Sequence, residues 1–204
     1  AELRGITMPD VAVRILDQGQ SLAQRRGSLL FAHFGLSGPV ILDVSRAVSG
    51  HPHPETLILE LDLLPAETTG AVDDWLRAES LASGKKQLAI VLAQKVPRRL
   101  CETLLELAGL APDRKAAALA REDRQRLARA IKQLAIPLTG TLGFKKAEVT
   151  AGGVALDEVD SRNMQSKLVP GLYLAGEVLD LDGPIGGFNF QAAWSTGWLA
   201  GASV

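Results

Sequence analysis

At 204 residues, 47% hydrophobic and 22% charged, the chain has enough apolar material for one large domain or two small ones without disulfide or metal staples. Its formal net charge of −1 gives no electrostatic case for a nucleic-acid or membrane-surface partner. A single cysteine, Cys101, excludes an internal disulfide and a multi-cysteine metal site, which fits a reducing cytoplasm, and no apolar run approaches the roughly 20 residues that cross a bilayer.

The opening, Ala1-Glu2-Leu3-Arg4, lacks a starting Met and any signal-peptide character, and reads as the middle of a longer protein. Val11–Leu16 is β-like, Gln18–Arg26 reads as a polar, loose loop, and Ser28–His33 reads as the second strand of a hairpin. After Phe34 the pattern turns helical, with Ser37 expected as N-cap and Pro39 in the first turn, where its missing N–H costs nothing. The prolines and glycine of 50–54 end that helix, and Thr56–Asp62 reads as a third strand. From about 66 to 134 apolar residues recur at helical spacing, as in Val72, Trp75 and Leu76 and again in Leu100, Leu104 and Leu105. Short strands are expected to resume at Ile136–Phe144 and Ala147–Leu156.

The last fifth of the chain is the most informative. Leu172–Ala175 reads as a short strand ending in Gly176 and Glu177, followed by a loop containing Gly183, Gly186 and Gly187 and a helix from Asn189 to Ala202. A carboxylate at a strand end, Glu177, suits the hydroxyls of a ribityl chain. The backbone amides around Gly186, Gly187, Phe188 and Asn189, at a positive helix end, suit an anion-prone ring. Together they read as the holder of one half of a flavin, and a capping carboxylate with a glycine turn is the plainer alternative. Trp194 and Trp198 share a helix face expected in a core or an interface.

Elsewhere the chemical signals are thin. His33 is the one histidine placed as a candidate for catalysis, a hydrogen-bonded structural role being the simpler reading. His51 and His53 have no nearby third ligand, so no metal site is expected. Cys101 reads as a small apolar packing group, and the basic residues of 121–132 as a solvated helix face.

Three segments in this order, Phe31–Pro39, Val149–Val154 and Ser166–Gln191, resemble the HI0933-like bacterial flavoproteins, also described as aminoacetone-oxidase-like or BaiN-like NAD(P)/FAD-dependent proteins. The resemblance covers most of the chain and is weakest in the helical stretch. Ile185, Phe188 and Phe190 depart from the expected pattern, and the GxGxxG turn that would hold the adenosine half of FAD is absent.

The resemblance implies an α+β, multi-part fold: a β-barrel-like insert over 1–147, β-rich at 1–64 and 135–147 with helices at about 66–134, then the C-terminal portion of a Rossmann-like FAD-binding domain over 148–204. It implies a fragment of a FAD-dependent oxidoreductase, with a non-enzymatic protein-interaction module as the alternative. FAD is expected in the full-length protein and weak or absent binding in the fragment. The expected partners are a small-molecule substrate and NAD(P)H, with no nucleic acid and no membrane, in the cytoplasm.

Overall fold

The computed structural model describes residues 3–82, 84–117 and 119–204, so the first two residues of the opening lie outside the described residues. The chain divides into two compact units, Ala1–Gly140 and Thr141–Val204.

The first unit is built on strand β1 (Thr7–Asp17) and strand β2 (Gln20–Ala32), an antiparallel pair. Along β1 the residues Val11, Val13 and Ile15 are buried in strict alternation, as a sheet with one face on a core requires. Met8 is buried as well, three positions before Val11, because a register shift between Met8 and Val11 inserts extra backbone and resets the alternation. The loose loop expected over Gln18–Arg26 is instead a tight turn at Gln18 and Gly19, both with positive φ, with the polar residues forming the solvent-exposed start of β2. Two consecutive positive-φ residues match the right-handed twist of a hairpin, which is why the turn closes so early.

Strand β3 (Gly35–Ser37) pairs with β2 and takes up the position expected of a helix cap. Helix α1 (Pro39–Ser49) therefore starts one residue later, with Gly38 rather than Ser37 at its N-cap. Gly38 has φ +96°, and a Cβ there would meet the Ser28 carbonyl oxygen at 2.8 Å, so the sheet approaches too closely for a side chain. Val40, Val44 and Val48, one turn apart, are the buried stripe of α1.

Strand β4 (Ile58–Asp62) pairs with β1, and β5 (Leu134–Pro137) pairs with β4, giving a five-stranded antiparallel sheet in the order β3-β2-β1-β4-β5. Between β4 and β5 lie α2 (Thr69–Ala82), α3 (Leu88–Leu92), α4 (Arg98–Leu107) and α5 (Arg121–Lys132). Their buried residues, including Val72, Leu76, Leu100, Leu104, Leu105, Leu127 and Ile131, join the buried face of the sheet in one continuous core. A helical segment grown from one strand connection is the arrangement the spacing predicts.

The second unit is mostly irregular. Neither Ala147–Leu156 nor Leu172–Ala175 forms the expected strand; single bridges pair Val154 with Leu179 and Gln165 with Tyr173. An extended segment becomes a strand only when a neighbour pairs along its length, and that is not a property of the segment itself. Helix α6 (Phe188–Gly201) closes the unit, packing Leu199 and Ala200 on a small core with Val159, Met164 and Leu179. Trp194 and Trp198 do not join that core, being 78% and 74% exposed. Among the described residues no helix is long and apolar enough to cross a membrane.

Candidate functional site

The residues singled out near the C-terminus all fall in the second unit, around α6. Gly176 and Glu177 occupy a short 3-10 turn, Gly176–Val178, not the end of a strand. Gly176, with φ +74°, donates its N–H to Thr196 Oγ1 at 3.0 Å, and the Thr196 hydroxyl donates onward to the Ala192 carbonyl at 2.7 Å. The turn is thereby fastened to the middle of α6. Glu177 is exposed and makes no hydrogen bond or ion pair among the described residues, so its carboxylate is available to accept.

The glycine loop is fastened at the other end of the same helix. Asn189 Oδ1 accepts the Gly183 N–H at 2.7 Å, and Asn189 Nδ2 donates to the Gly183 carbonyl at 2.9 Å. Both main-chain groups of Gly183 are satisfied by one side chain, which fixes the amide orientation of Asn189 and closes the loop from 183 to 189. Gly187 is the N-cap of α6 with φ +91°, has no side-chain cap, and a Cβ there would meet nothing within 4 Å. The first turn of α6, at the positive end of its dipole, therefore has no side-chain cap at its N-cap residue. Phe188 is exposed beside Gly186.

These two fastened ends are well separated. Thr196 lies nine residues beyond Gly187, about 13 Å along the axis at about 1.5 Å per residue. The Gly176 turn is thus fastened along the body of α6, and the Gly183 loop at its start.

A third element escaped the reading of the sequence. Gly153, with φ +151°, lies so close to the 178–180 segment that a Cβ would meet the Val178 carbonyl oxygen at 2.5 Å. Val154 N–H donates to Val178 O at 2.8 Å and Asp180 N–H to Val154 O at 2.9 Å, so the Gly152-Gly153 pair backs the turn that carries Glu177. The signal was present as a double glycine, but its partner segment lies 25 residues away.

His33 belongs to the first unit. It is exposed in the turn between β2 and β3, its ring set edge-on to Phe34 at 4.9 Å. His51 lies 3.6 Å from Asp17 and His53 lies 3.5 Å from Glu55, and among the described residues no cluster of three potential metal ligands occurs. Cys101 is fully buried, and burial pushes its thiol up to about 11. At Asp160 the hydrogen bond from the Arg162 guanidinium holds the carboxyl far below the usual carboxylate range.

Residues 1–149 match the family described as HI0933-like protein barrel and H2TH domain. The chain belongs to the HI0933-like family. The match spans the five-stranded sheet, the helices between β4 and β5, and the first residues of the second unit. Among curated proteins the chain is 36% identical over 196 residues to a ribosomal RNA dihydrouridine synthase of Escherichia coli, covering 96% of this chain and 46% of that protein. It is 34% identical over 202 residues to the ribosomal RNA dihydrouridine synthase of Haemophilus influenzae, covering 99% and 47%. A 3-dehydro-bile acid delta(4,6)-reductase of Clostridium scindens is 33% identical over 196 residues, covering 96% and 48%. The chain thus spans about half the length of the curated relatives it matches.

These relatives correct two expectations. The expected function, a fragment of a FAD-dependent oxidoreductase, is overturned by relatives named for the modification of ribosomal RNA, aligned over nearly the whole chain. The expected absence of a nucleic-acid partner falls with it. A net charge of −1 is a sum over the surface, and it hides local basic patches because acids elsewhere cancel them.

Proposed function

We propose that this chain is part of an enzyme that modifies ribosomal RNA by reducing uridine to dihydrouridine. The carrying observation is the alignment of 96% and 99% of the chain with two ribosomal RNA dihydrouridine synthases at 36% and 34% identity. The third relative, a reductase acting on a different substrate, supports a common chemistry of hydride and proton delivery. A ribosomal RNA substrate carries with it a cytoplasmic location.

Saturating the C5–C6 bond of uracil adds a hydride to one carbon and a proton to the other. No protein side chain stores a hydride, so the reaction needs a redox cofactor, and the residues of the second unit fit a flavin, with FAD as its form. When bound, the flavin supplies the hydride, replenished from NAD(P)H. The exposed Glu177 carboxylate would accept hydrogen bonds from ribityl hydroxyls, and Gly176 supplies the positive φ of the turn that presents it. The amides at Gly186, Gly187 and Phe188 would oppose negative charge on the ring, a helix-end effect of about 0.3–2 kcal/mol that tunes a cofactor without running a reaction. Asn189 contributes by holding the loop through Gly183, since its side chain is already spent there. In this reading residues 148–204 are the C-terminal portion of a Rossmann-like cofactor domain, and residues 1–147 are an insert that meets the substrate.

The test is direct. Ribosomal RNA from cells lacking the gene, incubated with the purified full-length protein and NAD(P)H, should gain a uridine carrying two extra hydrogens by mass spectrometry. Ribosomal RNA with an identical dihydrouridine content in gene-deleted and wild-type cells would end the proposal.

A further inference from the structure

The first unit carries a cluster of cationic side chains whose placement depends on tertiary structure. The segment 84–88, after α2, lies antiparallel to the segment 114–117, before α5. Leu88 N–H donates to Arg114 O at 2.7 Å, Ala116 N–H to Lys86 O at 2.9 Å, and Ala117 N–H to Gly84 O at 2.9 Å, with Gln87 directly opposite Lys115. Ser80 Oγ donates to the Ala116 carbonyl at 2.6 Å, which ties the pair to the last turn of α2. A Cβ on Gly84 would meet Ala117 Cβ at 3.0 Å, so the two segments are held in close contact.

This clamp brings Lys85 and Lys115, 30 residues apart in the chain, onto one face of the pair, with Lys86 next to Lys85 on the alternate face. All three are exposed, and none makes an ion pair or side-chain hydrogen bond among the described residues. Lys85 sits diagonally across from Lys115 on the solvent side of the pair, where such neighbours lie about 7–8 Å apart. Asp123 is already held by Arg114 at 2.6 Å and Arg126 at 2.5 Å, and exposed Asp113 sits just before the 114–117 segment. The backbone hydrogen bonds fix where these lysines start, and their flexible stems let the ammonium groups reach successive phosphates.

We propose that Lys85, Lys86 and Lys115 form a contact surface for the phosphate backbone of RNA. The proposal rests on the ribosomal RNA reading above and deepens it by locating where the nucleic acid is held. Lysines on phosphates give sequence-independent affinity and orientation, so this surface would dock the RNA and leave the choice of uridine to the reacting site.

The experiment compares binding of a transcribed ribosomal RNA segment by the full-length protein with binding by a Lys85→Ala, Lys86→Ala, Lys115→Ala variant, across salt concentrations. Loss of three phosphate contacts should make log affinity against log salt shallower by about 2–3 and lower the affinity at least about 10-fold at low salt. Arginine at the same three positions should restore binding, and removal of exposed Lys145 and Lys146 serves as the charge-loss control. A triple variant that binds like the parent, or a control that loses as much, overturns this surface alone. An unaltered protein that neither binds nor reduces ribosomal RNA overturns the proposed function, and the surface with it.

Discussion

Lys132 Nζ lies 2.7 Å from Asp62 Oδ2 and donates to the carbonyl oxygens of Leu64, at 2.7 Å, and Glu67. The last residue of α5 is therefore tied to the last residue of β4 and to the chain that leads into α2. Its side chain is only 8% exposed, and three acceptors satisfy three ammonium hydrogens. The contact fixes where the helical segment leaves and rejoins the sheet.

Lys132→Met should lower unfolding stability by about 1–3 kcal/mol, because Asp62 and two carbonyls lose their ammonium partner. Chemical denaturation followed by far-UV circular dichroism measures it. A change under about 0.5 kcal/mol would show that water replaces the ammonium at little cost.

Gly153→Ala should destabilise the second unit by about 1–3 kcal/mol or more, since the added methyl would press on the 178–180 backbone at a positive φ. Thermal unfolding and protease resistance of residues 141–204 report it. An unchanged protease pattern would mean that the segment moves aside freely.

Glu177→Ala and Asn189→Ala should separate two roles in flavin binding. The first removes an exposed carboxylate with no protein partner, so stability should hold while flavin affinity falls about 10-fold. The second frees the Gly183 N–H and carbonyl, so both loop order and flavin affinity should fall. Flavin fluorescence titration with a parallel melting curve distinguishes them, and equal melting losses in both variants would refute the division.

Cys101 should be inert to thiol reagents at pH 8 in the native protein and react fully in denaturant. Its folded-state thiol is raised to about 11 from 9.0, so the unfolded chain ionises first. Any stability that the neutral thiol contributes is complete below pH 9.0 and is lost as pH rises toward about 11. A native protein labelled within minutes at pH 8 would contradict the burial.

Much of the first unit was legible as periodicity. Alternation at Val11, Val13 and Ile15 marks a strand because successive side chains point to opposite faces. Leu100, Leu104 and Leu105 mark a helix because they fall on one stripe. Both patterns are local, and burial on one face is enough to write them.

What pairs with what was decided only by the folded chain. Leu172–Ala175 has the composition of a strand but lacks the continuous ladder that would make it one. The Asn189 side chain holds Gly183, a pairing six residues back that spacing alone does not specify. Gly153 and the segment it backs, and Lys85 and Lys115, are neighbours only because hydrogen bonds join stretches far apart in the chain. Composition and spacing mark the periodic strands and helices of the first unit. The partners depend on contacts whose loop-closure cost is met by the whole core, and no window of sequence contains that sum.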